Sequence, residues 1–270
     1  MKKILITILL LPSLAFSMDT SIFTEMMNNL NSEKYATVGK FLDKNHSKFS
    51  KDPEFYVILL NYTFRKGYKT GIVVAKGEAK NGEFIVLNKE TGESVGFIGN
   101  RIFKDSEIIE YGISETQKAL VHFNNRLDIH FGVIHIAAKI ERWDILSSQL
   151  LNVLLISKTI NNQWIWGSIN TMKGDPEKFM IENIQAKVNA LFYVGNEASD
   201  KAVIVISEKM IEEYPDVIYG YSNLGVLYLA RKQYGLAEKY LAQAEKINPE
   251  DDIVKGNIKK LREITFDIRK

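Results

Sequence analysis

The chain has 270 residues, with 35 Lys and Arg, 33 Asp and Glu, and no cysteine. Without cysteine it can form no disulfide bond and carry no lipid on an N-terminal cysteine. Its nearly balanced charge lacks the clustered basic face that nucleic acids require, so we expect no nucleic-acid partner. A chain of this length, with 46% hydrophobic residues, can bury a sizeable core as one elongated domain or as two compact ones.

The first 17 residues have the organisation of a secretory signal peptide. Lys2 and Lys3 form a basic n-region, residues 4–11 are uncharged and apolar, and Ala15 and Ser17 are small residues at positions −3 and −1 of a cleavage site. The apolar run is shorter than the roughly 20 residues that span a bilayer. We therefore expect cleavage after Ser17, no stable membrane insertion afterwards, and a periplasmic location, with secretion outside the cell as the lesser option.

Helical hairpins are predicted for residues 18–70. Asp52-Pro53 is a typical start of a helix. The apolar residues Tyr35, Val38 and Leu42 are spaced to suit the helix before it.

A small β-insertion is predicted for residues 71–104, with its strands at about residues 71–99. Three short segments alternate in polarity and are rich in β-branched residues, and turn sequences containing Gly82 and Gly92 separate them. These segments are residues 71–78, 83–88 and 93–99. They predict a three-stranded antiparallel meander that packs an apolar face on the adjacent helices. The residues expected on that face are Val73, Phe84, Val86 and Phe97.

The rest of the chain is predicted to be helical apart from one connector. Residues 105–160 read as repeat-like helices, residues 161–174 as a connector containing two tryptophans, and residues 175–216 as a degenerate repeat. In that repeat Asn189 occupies a position that is normally apolar. Residues 217–250 form the best-matched repeat, and residues 251–270 are predicted to be a C-terminal capping helix.

Residues 217–250 contain eight residues at the spacing of a helical hairpin: Tyr221, Leu224, Gly225, Tyr228, Ala237, Leu241, Ala244 and Pro249. Gly225 and Ala237 are small enough for the two helices to approach closely, and Asn248-Pro249 ends the second helix. This pattern resembles the tetratricopeptide repeat, a helix–turn–helix unit of about 34 residues.

The order of motifs over residues 50–255 is also similar to that of exported bacterial tetratricopeptide-repeat proteins of undefined function. The resemblance implies a mainly α-helical superhelix of hairpins, interrupted by the β-insertion. Several hairpins are expected because a single one cannot bury its apolar face alone.

No residue pattern supports catalysis or metal binding. The four histidines lack the spacing of metal ligands, and no glycine-rich phosphate loop is present. Gly92-x-Ser94-x-Gly96 matches the letters of a nucleophile elbow, but it lies in a predicted β-hairpin rather than at a strand-to-helix turn. We therefore expect no enzymatic activity, cofactor or metal.

Candidate binding residues follow from the superhelix that the resemblance implies, because its first helices line a concave surface. The residues at the ligand-facing positions are Arg126, Ile129, His130, Val133, Tyr219, Ser222, Asn223 and Val226. They lack the lysine-rich pattern of carboxylate-clamp members of the family. Trp164 and Trp166 are further candidates, since a Trp-x-Trp pair on extended chain points both indoles to one side. They either anchor a partner peptide or fill the space where residues 159–175 interrupt the regular stacking of helical hairpins.

The function we expect is that of a periplasmic scaffold or adaptor that binds a protein or peptide partner, within an envelope assembly such as secretion, pilus or cell-wall machinery. One alternative is an exported inhibitor or immunity protein that blocks a toxic enzyme. The other is a cell-wall-acting enzyme built on a helical-repeat platform. Either the concave helical face or the β-insertion would be the main contact surface.

Overall fold

A computed structural model describes residues 17–80, 82–167, 170–172 and 174–268. The predicted signal peptide lies outside the described residues, except for Ser17. The described part is mainly α-helical, as the sequence predicted, and contains eleven α-helices. The chain divides into two compact units, of which the first ends at Phe123 and the second begins at Asn124. This boundary falls inside the segment predicted as residues 105–160.

Over its described residues, the N-terminal unit consists of four α-helices, one three-stranded sheet and a short 3-10 turn. The elements are α1 Thr20–Asn31, α2 Tyr35–Asn45, α3 Pro53–Gly67, β1 Tyr68–Ala75, β2 Phe84–Leu87, β3 Ser94–Lys104, α4 Ser106–Ala119 and the turn Leu120–His122. Helix α3 is central, since α1, α2 and α4 all contact it and its Phe55 and Ile58 are fully buried.

Helix α3 begins as the sequence predicted, because Asp52 caps it and Pro53 occupies its first turn. Helices α3 and α4 approach so closely that a Cβ atom at Gly112 would overlap the Thr63 hydroxyl. Glycine at this position therefore permits the helix–helix contact.

The sheet is antiparallel and three-stranded, but it is not the meander that we expected. Its strand order is β1-β3-β2, so β1 pairs with β3, from Tyr68 opposite Lys104 to Ala75 opposite Phe97. The reason lies in the helices, because β1 directly follows α3, β3 directly precedes α4, and those two helices pack together. The Asp105 N–H donates to the Gly67 carbonyl at 2.7 Å, which holds the two strand bases side by side.

Two of the four residues that we expected on one apolar face of the sheet lie on its other face. Phe97 is buried and Val73 is half-buried, whereas Phe84 is 76% exposed. Phe84 pairs with Ile98, not with Phe97, and side chains that oppose each other across a ladder share a face. Phe84 and Val86 therefore lie on the opposite face from Val73 and Phe97, because a shift of one residue reverses the face.

The C-terminal unit consists of seven α-helices and two very short strands among the described residues. They are α5 Leu127–Lys139, α6 Trp143–Thr159, β4 Ile165–Trp166, β5 Asn170–Thr171, α7 Pro176–Val194, α8 Glu197–Glu213, α9 Ile218–Ala230, α10 Tyr234–Ile247 and α11 Asp252–Ile268. One core cluster joins α5 to α9 around Leu150, Leu154 and Trp164. A smaller cluster, which includes Leu241 and Val254, joins α9 to α11.

Local sequence explains several helix ends in this unit. Gly195 ends α7 with φ 65°, a left-handed conformation that glycine adopts easily. Asn196 and Ser199 then form a reciprocal capping box at the start of α8. Helices α8 and α10 both end just before an X-Pro pair, Tyr214-Pro215 and Asn248-Pro249. In the described part of the chain, no helix combines the length and apolarity needed to cross a membrane.

Candidate functional site

A groove of about 490 Å³ opens in the C-terminal unit between α7, α9 and the start of α11. We call it the α7–α9 groove. Its walls combine amide and aromatic side chains with a single carboxylate, that of Asp251. The amide and aromatic residues that line it are Gln185, Asn189, Phe192, Tyr193, Tyr219, Asn223 and Asn257.

Four of the predicted binding residues line this groove together: Tyr219, Ser222, Asn223 and Val226. Their spacing of three, one and three residues places them on one face of α9. The register of the proposed repeat thus selected residues that share one open surface. Whether they contact a partner stays a prediction.

The floor of the groove is a reciprocal amide pair. Asn223 Nδ2 donates to Gln185 Oε1, and Gln185 Nε2 donates to Asn223 Oδ1, both at 2.8 Å. Gln185 Nε2 also donates to Asn189 Oδ1 at 2.8 Å. The pair ties α7 to α9, and in it Asn223 is buried at 3% exposure whereas Gln185 is half-buried. Asn223 therefore contributes to the fold as well as to the groove, and its substitution would change both.

The rim of the groove is apolar and open to solvent. The Tyr193 side chain is 93% exposed and that of Ile253 is 66% exposed. Asp251 uses one carboxylate oxygen to cap α11 through the Val254 N–H at 2.9 Å. Among the described residues that line the groove there is no Lys or Arg, so nothing there favours an anionic ligand.

The other four predicted residues of this kind lie on or just before α5, and all of them are buried. Arg126, Ile129, His130 and Val133 are each at most 4% exposed. The Arg126 guanidinium makes a bidentate ion pair with Asp128, at 2.9 and 2.8 Å. These side chains do not form an open surface in the folded chain, and a binding role for them stays a prediction.

His130 is held in a buried hydrogen-bond network. Its Nε2 lies 2.9 Å from the Asn124 carbonyl oxygen and its Nδ1 lies 2.5 Å from Gln149 Nε2. Donation by the Gln149 amide makes Nδ1 an acceptor, which leaves the proton on Nε2 of a neutral imidazole. Burial lowers the pKa of His130, although the Asn124 hydrogen bond and the nearby Asp128 carboxylate oppose this.

The buried His130 should make the unit sensitive to mild acid. The unfolded chain takes up a proton near pH 6.5, while the folded imidazole resists it, so the unfolded state binds more protons as the pH falls below about 6.5. The free energy of unfolding should then fall by at most about 1.4 kcal/mol per pH unit until the lower folded pKa is reached.

Urea unfolding between pH 7.5 and 5 would test this. We expect His130→Gln to reduce the pH dependence of the C-terminal unit, and His122→Gln, which lies in the N-terminal unit, is the control variant. If the free energy of unfolding had the same pH dependence in the wild type and in His130→Gln, the lowered pKa of His130 would be contradicted.

The two connector tryptophans differ in burial. Trp164 is 1% exposed and its ring meets the His130 ring edge-on at 6.0 Å, whereas Trp166 is 41% exposed. A turn precedes the pair, since the Trp164 N–H donates to the Asn162 carbonyl at 2.8 Å and Asn162 has a φ of 56°, and the chain is extended from Ile165 to Trp166. Trp166 instead meets Phe179, with ring centroids 5.1 Å apart.

Sequence reasoning missed the α7 side of the groove. Gln185, Asn189 and Tyr193 all line it, and none was predicted to bind. A signal was present, because Asn189 occupies a repeat position that is normally apolar. An exposed polar residue at that position would favour a surface role for this part of α7.

No metal site is evident, because within the described ranges no three His, Asp or Glu side chains are grouped to hold an ion. No protein-family model and no curated protein matches this chain. The family and function proposed below therefore depend on the chain's own sequence pattern and geometry.

Proposed function

We propose that this chain is an exported tetratricopeptide-repeat adaptor that holds an extended peptide segment of an envelope protein in the α7–α9 groove. The observation that carries the proposal is the groove itself, since four residues assigned to the ligand side by the repeat register line one open surface. Helices α9 and α10 supply the repeat. Gly225 lies against Leu241 and Ala237 is fully buried, as close helix packing in such a hairpin requires.

The chemistry of the groove suits an uncharged peptide backbone. Carboxamides both donate and accept hydrogen bonds, so Asn189 and Asn257 match the alternating N–H and C=O groups of an extended chain. Gln185 supports them from below, since its amide hydrogens already bind Asn223 and Asn189. Tyr193 and Tyr219 offer aromatic contacts of the kind enriched at interface hot spots. Without a cation in its walls, the groove favours an internal segment over a free C-terminal carboxylate.

Export from the cytoplasm is the second part of the proposal. It rests on the n-region, apolar run and small residues of positions 1–17. An exported adaptor would meet its partner in the periplasm, within an assembly such as a secretion, pilus or cell-wall complex.

Tyr193→Ala provides the test of the groove. The Tyr193 side chain is 93% exposed, so its removal should leave the melting temperature nearly unchanged. We expect the affinity for the partner to fall about ten-fold, corresponding to about 1–2 kcal/mol. The partner would be recovered by crosslinking and pull-down of the mature chain from envelope extracts, and the affinities would be measured by calorimetry.

Two matched variants complete the experiment. Tyr111→Ala removes an exposed tyrosine from the N-terminal unit, and Lys89→Ala alters the turn between β2 and β3. Both should bind the partner like the wild type. Loss of affinity in Lys89→Ala with none in Tyr193→Ala would move the binding surface to the β-sheet and refute the groove.

A further inference from the structure

A buried carboxylate holds the backbone nitrogen of Met18. Asp52 is 5% exposed, and its Oδ1 caps α3 by accepting from the Glu54 N–H at 2.8 Å and the Phe55 N–H at 3.3 Å. Its second oxygen, Oδ2, accepts from the Met18 N–H at 2.5 Å. Capping of the helix needs only one of the two oxygens, so the contact with Met18 is a separate use of this side chain.

Met18 is also the residue that follows the predicted cleavage site. The small residues Ala15 and Ser17 place the scissile bond between Ser17 and Met18. Met18 is 6% exposed, whereas Ser17 is exposed. The nitrogen that cleavage would free is therefore the nitrogen that Asp52 already binds. The sequence pattern and the hydrogen bond indicate the same residue independently.

We propose that cleavage between Ser17 and Met18 creates an α-ammonium group that forms an ion pair with Asp52 and stabilises the mature N-terminal unit. In this step an endopeptidase and one water molecule break the amide bond. The water oxygen bonds to the Ser17 carbonyl carbon, which becomes a carboxylate, and the two water protons convert the Met18 nitrogen into an ammonium group. The proposal rests on the export proposed above.

The change at the nitrogen is from a neutral donor to a charged one. The amide N–H already donates to a charged acceptor, and the ammonium adds the attraction between two opposite unit charges. Asp52 precedes α3 and Met18 precedes α1, so the pair tethers the start of one helix to the start of another.

Burial of the Met18 nitrogen also sets an order of events. The peptidase cannot reach a bond whose nitrogen is enclosed by the folded unit, so cleavage precedes the docking of Met18 onto Asp52. This order is that of a segment removed during translocation, before the mature chain folds.

Three forms of the N-terminus would test the pairing in the full mature chain. One form starts at Met18 with a free amine, one carries an acetyl group on that amine, and one retains Ala15-Phe16-Ser17 ahead of Met18. We expect the free form to melt about 2–4 °C above the other two. The same comparison in Asp52→Asn should show no difference, because asparagine caps a helix as well as aspartate does but carries no charge.

The ion pair between Met18 and Asp52 and the export of the chain are tested by different measurements. An undiminished difference between the free and acetylated forms in Asp52→Asn, or none in the wild type, would overturn the ion pair. If Asp52→Asn does not fold, the acetylated wild-type chain still decides. Cell fractionation with N-terminal sequencing tests cleavage alone. A periplasmic chain that begins at Met18 supports the proposal, and a cytoplasmic chain that keeps residues 1–17 refutes both cleavage and export.

Discussion

Replacing Trp164 by alanine is expected to lower the free energy of unfolding of the C-terminal unit by about 3–5 kcal/mol. Trp164 is among the largest fully buried side chains and belongs to the core cluster that joins α5 to α9. Its loss would leave a cavity between those helices and remove the edge-on contact with His130. Urea denaturation followed by circular dichroism would measure the change.

Trp166→Ala is the matched control, two residues along the same connector. Its indole is 41% exposed and lies beside the rings of Phe179 at 5.1 Å and Phe131 at 6.3 Å, and each pair of this type contributes about 0.5–1.5 kcal/mol. We expect Trp166→Ala to cost less than Trp164→Ala. A cost for Trp164→Ala no larger than that for Trp166→Ala would show that Trp164 is not the core residue described above.

The sequence predicted best those features that depend on neighbours in the chain. Asp52-Pro53 marked the start of α3, and Asn248-Pro249 marked the end of α10. The three β-segments also lie close to their predicted positions. Capping, proline stereochemistry and polarity alternation act over a few residues, so they can be read from a single sequence.

Features set by contacts between distant residues were harder to predict. The order of the sheet depends on the packing of α3 against α4, which brings β1 beside β3. The different exposure of Trp164 and Trp166 depends on contacts with residues distant in sequence, and the ring neighbours are His130 for Trp164 and Phe131 and Phe179 for Trp166. On α9, the four residues predicted from the repeat pattern line the groove, and their binding role stays a prediction. The α7 residues were missed because Gln185 meets Asn223 only in the folded chain.

Gly225→Ala is expected to destabilise the C-terminal unit by about 1–3 kcal/mol, because it overpacks the contact between α9 and α10. A Cβ atom at Gly225 would lie 2.7 Å from Leu241 Cγ and 3.2 Å from the Leu241 backbone nitrogen. Leu241 is fully buried, so it has little room to move away. The proposed repeat register requires this close approach, and thermal or urea unfolding would measure its cost.

Gly256→Ala provides the control of opposite sign. Gly256 lies within α11, and a Cβ atom there would meet nothing within 4 Å, so alanine adds only its better helix propensity. We expect Gly256→Ala to stabilise the unit by about 0.5–1 kcal/mol. The same gain from Gly225→Ala would mean that α9 and α10 do not approach closely at this position. The assignment of residues 217–250 to a tetratricopeptide repeat would then lose the glycine contact on which its register depends.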